Sequence, residues 1–188
     1  MNLIDFVNKK LAIETVIAQF LVLASLGYLL FFKKKYPAVG LWLSKQAVLL
    51  AFLVALGATV SSLFYSNIAG FEPCELCWFQ RIFMYPLVVL LGLALIKKER
   101  IIIDYALSIS VIGFFISLYH NYVYYQNGGL SAICQVGGVG VSCVKRYVFE
   151  LGYITIPIMS LTAFVLIITF LVFASFNVKN HVSKLTDV

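Results

Sequence analysis

Apolar residues run along this chain in long unbroken stretches and do not alternate with polar ones. Five stretches stand out, at about Ala12–Phe32, Ala47–Tyr65, Trp78–Ile96, Ile101–Val123 and Tyr153–Phe176. A helix needs roughly 20 such residues to cross the hydrocarbon core of a bilayer. In lipid the backbone must satisfy its own hydrogen bonds, so each stretch is expected to be a transmembrane helix. Continuous apolar runs also argue against a membrane β-barrel, whose strands alternate. The expected fold is an all-α membrane protein, one helical bundle with no repeat and no linker long enough to separate domains.

Composition agrees: 62% of the 188 residues are hydrophobic and 12% charged, which no soluble domain of this size tolerates. Charge then orients the helices. Lys33, Lys34, Lys35, Lys45, Lys97, Lys98, Arg100, Lys179 and Lys184 fall on one side; Lys9, Lys10, Lys145 and Arg146 fall on the other, with Arg81 near its helix end. Basic short loops stay cytoplasmic, so the amino terminus is expected outside and the carboxyl tail inside. The net charge of +6 is on this reading a topology signal and not a nucleic-acid footprint. The first stretch is too long for a cleaved signal peptide and runs straight into three lysines, so it is expected to remain as an anchor. Glu14 and Gln19 within it read as an interfacial carboxylate and a helix-contact amide.

All four cysteines fall in the two segments assigned to the outer side: Cys74 and Cys77, then Cys134 and Cys143. Cysteines persist as disulfides outside the reducing cytosol. Cys74-Glu75-Leu76-Cys77 sits at the mouth of a helix, and continuing that helix puts Cys74, Cys77 and Arg81 on one face. A helix amino terminus and a guanidinium both favour the thiolate, the nucleophile of disulfide exchange. Glu75, between the two thiols, is expected to oppose it. Cys134 and Cys143 enclose a loop rich in glycine, which predicts mobility suited to a shuttling disulfide. Two other readings use the same residues. A four-cysteine zinc site would prefer two compact C-x-x-C knuckles, and only one is compact here. Static bridges bracing the outer loops would make the protein non-enzymatic.

Three stretches carry a resemblance to a known family. They are Pro73-Cys74-Glu75-Leu76-Cys77-Trp78-Phe79-Gln80-Arg81-Ile82-Phe83-Met84-Tyr85-Pro86, then Tyr119-His120 with Gln126, to which no role is assigned, then Gly152-Tyr153-Ile154-Thr155-Ile156-Pro157. The chain resembles the DsbB family of membrane thiol-disulfide oxidoreductases, in particular its short BdbC-like branch, from about Lys45 to Phe173. The resemblance implies a four-helix transmembrane bundle at residues 45–176, preceded at 1–44 by an additional transmembrane helix with its basic loop and followed at 177–188 by a cytoplasmic tail. It further implies a bacterial inner-membrane enzyme that reoxidises a DsbA-like thioredoxin-fold partner and passes electrons to a quinone, ubiquinone or menaquinone. Cys74, Cys77, Cys134 and Cys143 would be its redox-active residues, with Cys134 exchanging with the partner and Cys143 resolving. Arg81 and His120 would bind the quinone. The tyrosines around His120 are expected to form an interfacial belt, and Pro86 and Pro157 to kink their helices. The first helix has no counterpart in the family's four-helix pattern. A vitamin K epoxide reductase-like protein would place its loop pair before the C-x-x-C, the reverse of the order here.

Overall fold

A computed structural model describes residues 3–32, 37–97, 99–126 and 147–186. Cys134, Cys143 and the glycines between them lie outside the described residues. Five long helices result: α1 (Leu3–Gly27), α2 (Pro37–Asn67), α3 (Glu75–Lys97), α4 (Arg100–Tyr125) and α5 (Ile156–Thr186). All five contain stretches long and apolar enough to span a membrane.

The ends follow local chemistry. Proline at the first position of α2 forgoes an N–H that would have had no helical partner anyway. Glu75 and Lys97 stand in the first and last turns of α3, each complementing the helix dipole. Several boundaries differ from the hydropathy reading: α2 begins at Pro37, ahead of Ala47, and α5 runs past Phe176 to Thr186. The first helix begins nine residues before Ala12, at Leu3, and closes in a π-helical turn over Tyr28–Phe32. The fifth begins at Ile156, because a reverse turn pairs Glu150 with Ile154 ahead of it. That turn holds Gly152 at φ 79° and Leu151 at φ 53°, the left-handed region that glycine enters without strain. Pro157 is therefore in the first turn of α5 and does not kink it, since no helical donor is lost there. Its carbonyl instead accepts a 2.9 Å hydrogen bond from the Asn121 amide on α4. Pro86 does lie inside α3.

Helices α2, α3, α4 and α5 form a ring in which each packs on the next and α5 returns to α2. Ala47, Ala51 and Ala55 make a fully buried stripe along α2. Small residues at this spacing let helices approach closely where lipid provides no hydrophobic drive between them. Leu87 and Leu91 of α3 and Phe164, Ile167 and Leu171 of α5 complete the centre. Helix α1 lies against α5 outside the ring. The Tyr65 hydroxyl of α2 donates to Asn8 Oδ1 at 2.9 Å. Gln19 Nε2 donates to Thr162 Oγ1 at 3.3 Å, and the Tyr153 hydroxyl donates to Gln19 Oε1 at 2.7 Å. Gln19 is thus the helix-contact amide expected from its position. Glu14 pairs with Lys10 one turn back on an exposed face.

Candidate functional site

Cys74 is the residue that starts α3. Its carbonyl accepts the Trp78 backbone N–H at 3.1 Å, so the sulfur sits beside the helix's unpaired N–H groups and positive dipole end. One turn on, the Cys77 sulfur lies 3.1 Å from it, and both are free thiols. Cys74 is buried and Cys77 partly so.

His120 arrives from α4 and is 2% exposed, inside the bundle and not on its outer surface, with its ring against the dithiol. Its Nε2 is 3.8 Å from Cys74 Sγ, while Nδ1 is 3.1 Å from the Gln80 side-chain nitrogen. An amide N–H donating to Nδ1 leaves the ring proton on Nε2, directed at Cys74. The Cys74 thiol is accordingly pulled down to about 4: the hydrogen bond with Cys77 is the largest cause, burial opposes it, and His120 adds to the lowering. Glu75 is not among the groups that act on Cys74, contrary to the expectation from its place between the thiols. Gln80 was quoted in the motif but given no role. Its signal was an amide one turn after Cys77, beside Arg81 and ahead of a long apolar run, where an unpaired polar group would be costly.

Arg81 continues the same face. Its Nε donates to Ser62 Oγ at 2.9 Å and Nη2 to the Ser62 carbonyl at 3.2 Å, both on α2. The guanidinium carbon stands 5.2 Å from the centre of the Trp78 ring. A cation at membrane depth needs such partners. Cys74, Cys77, Arg81 and His120 all line one cavity of about 470 Å³. Leu53, Ala58, Met84 and Ala163 give it apolar walls. Tyr124, expected in the aromatic belt, is buried and lines it too, whereas Tyr119, Tyr122 and Tyr125 are exposed as a belt requires.

The ligand atoms of Cys74, Cys77 and His120 lie within 4.8 Å of one another, a set with the softness and compactness to hold a thiophilic cation. The four-cysteine zinc site weighed above is a different set, and two of its four members fall outside the described residues.

A multi-pass helical membrane protein with a dithiol at a helix amino terminus, one thiol strongly acidified, has the constitution of a membrane thiol-disulfide oxidoreductase. The chain belongs to the DsbB family: residues 44–174 match the family model described as disulfide bond formation protein DsbB. It is similar to the SPbeta prophage-derived disulfide bond formation protein B of Bacillus subtilis, 43% identical over 123 residues, 65% of this chain and 81% of that one. Disulfide bond formation protein C of the same organism is 45% identical over 121 residues, covering 64% and 86% respectively. Probable disulfide formation protein C 1 of Bacillus anthracis is 47% identical over 110 residues, covering 58% and 78%. No solved structure matches. Helix α1 lies wholly ahead of the family match.

Proposed function

We propose that the protein reoxidises an extracytoplasmic, DsbA-like thioredoxin-fold dithiol oxidase and delivers the electrons to a membrane quinone, ubiquinone or menaquinone. It does so from the bacterial inner membrane, with both cysteine segments outside, as the lysine and arginine bias requires. One observation carries the reading: the Cys74–Cys77 pair, Arg81 and His120 line the same largely apolar cavity. These residues fit a quinone, which is planar and apolar on its faces and accepts hydrogen bonds at two oxygens. Aliphatic side chains suit the faces, and Arg81, whose Nε and Nη2 bind Ser62, keeps guanidinium N–H groups for an oxygen.

Electron flow begins at the second pair. The partner's thiolate attacks Cys134 of the Cys134–Cys143 disulfide, Cys143 leaves as a thiolate, and the partner's second thiol displaces Cys134. The reduced pair then passes its electrons to a Cys74–Cys77 disulfide, breaking that S–S bond and forming the loop bond again. In the reduced Cys74–Cys77 pair, Cys74 is held as a thiolate by the hydrogen bond with Cys77 and by His120, so this dithiol carries a nucleophile at neutral pH. A bound quinone supplies the acceptor for the two electrons and two protons released when that dithiol returns to the disulfide. Arg81 orients the acceptor and stabilises negative charge on its oxygens, while His120, its two nitrogens facing Cys74 and Gln80, lines the acceptor's cavity and supports the thiolate beside it.

Anaerobic turnover of the purified protein with a reduced thioredoxin-fold partner and added quinone tests this. Quinone reduction that needs both pairs is expected, and a partner whose second active-site cysteine is replaced by serine should be trapped on Cys134, because it keeps no thiol to displace it. Stoichiometric bound metal with no thiol exchange would establish the metal-binding, non-enzymatic alternative instead.

A further inference from the structure

Helix α1 precedes the family match yet is built into the redox cavity. Leu11, Thr15 and Ala18 recur at i, i+4 and i+7, one face of a helix, and line the same cavity as Cys77 and Arg81. A neighbouring stripe through Asn8, Ala12 and Val22 is buried. That stripe is anchored from two helices by the hydrogen bonds to Tyr65 and Thr162. Glu14, Ile17 and Leu21 line the cavity as well. The Thr15 hydroxyl donates to the Leu11 carbonyl at 2.7 Å, so apart from the Glu14 carboxylate, which pairs with Lys10, this part of α1 turns hydrocarbon toward the cavity. The opposite face, with Phe6, Ile13 and Phe20, is exposed as a lipid-facing surface would be. A helix serving only as an anchor has no need of two polar locks or of a small residue at the cavity wall.

We propose that α1 forms part of the quinone-binding wall, with Leu11, Thr15 and Ala18 contacting the apolar side of the carrier and the size of residue 18 limiting the bulk that is accepted. This rests on the quinone reading above. The test uses the full-length protein in lipid nanodiscs and a photoreactive azido-benzoquinone with a short isoprenoid tail. After irradiation without any partner protein, mass spectrometry should place adducts on the α1 segment around Leu11–Ala18 as well as on α3, and excess unmodified quinone should suppress both. Equilibrium binding of radiolabelled quinone should weaken roughly tenfold or more in Ala18→Phe, the scale of a steric overlap in a filled site. Ala18→Ser, which adds a single hydroxyl, should weaken it much less than Ala18→Phe, and reduction of Cys74–Cys77 by dithiothreitol should proceed normally in both. Competable adducts on α3 with none on α1, or undiminished binding by Ala18→Phe, overturns the role of α1 and leaves the quinone reading standing. Absence of competable adducts from every helix overturns both.

Discussion

Cys74 shows how much of a thiol's chemistry belongs to its neighbours. An isolated cysteine ionises near pH ~8.5, whereas Cys74 is lowered to about 4, by the hydrogen bond with Cys77 first and by His120 in support. The sign follows: the lowered value keeps the thiolate present throughout the neutral range, and protonation returns only as pH falls through the folded value. In a Cys134→Ser/Cys143→Ser background, the ultraviolet thiolate absorbance should persist well below pH ~7, beneath the range of an unperturbed thiol. His120→Leu should move its midpoint upward, and Gln80→Leu should do so less, because it loosens the ring without removing it. An unmoved midpoint in His120→Leu would remove the histidine from the account. Arg81 has a different task. Arg81→Lys keeps the charge but cannot make the paired contacts to Ser62 Oγ and the Ser62 carbonyl. Losing a charged hydrogen bond costs about 1.5–3 kcal/mol, so the KM for quinone should rise roughly tenfold or more. Single-turnover thiol exchange should be little changed, and an unaltered KM would count against the assignment.

Between helices, Gly113 of α4 marks a close approach to α5. A Cβ there would overlap the ring of Phe164 on α5, which is completely buried and has no room to swing aside. Gly113→Ala should therefore destabilise the protein by about 1–3 kcal/mol, the usual cost of overpacking. That would appear as a lowered Tm in detergent, and an unchanged Tm would show that α4 and α5 can separate without cost. Because α4 also carries His120, the same substitution should disturb the Cys74 thiolate through the helix spacing. The sequence located every helix and oriented none of them against another. Pro157 illustrates the gap: its residue type suggested a kink, but the turn at Leu151–Gly152 moves the helix start and leaves the proline where it costs nothing.

For the molecule as a whole, the proposed topology is the assumption on which the direction of electron flow depends. After mild reduction, a membrane-impermeant thiol reagent applied to intact cells should label Cys134 and Cys143, and label Cys77 as far as its partial burial allows. Labelling of the loop cysteines only after lysis would invert the orientation and place the chemistry in the wrong compartment. The internal ring of α2 to α5 coincides with the stretch that matches the DsbB family, residues 44–174. Helix α1 is attached to that ring by Val22, which joins the same apolar core, and by side-chain hydrogen bonds at Asn8 and Gln19.

Helix number, membrane insertion and the C-x-x-C–arginine face were legible in the sequence because each is local. An apolar run of about 20 residues spans a bilayer whatever surrounds it, and a spacing of three or four residues shares a helix face wherever the helix lies. Contacts between residues far apart in the chain had no such local signature. His120 could be read equally as an interfacial ring or a site residue, Tyr124 looked like its exposed neighbours, and Gln80 carried no assigned role. Packing gives all three their surroundings, because α4 turns His120 and Tyr124 inward, and the buried imidazole meets Gln80 and Cys74 of the α3 entrance. The same holds for α1: its sequence marks a membrane helix, and only its docking on α2 and α5 brings Leu11, Thr15 and Ala18 to the redox cavity.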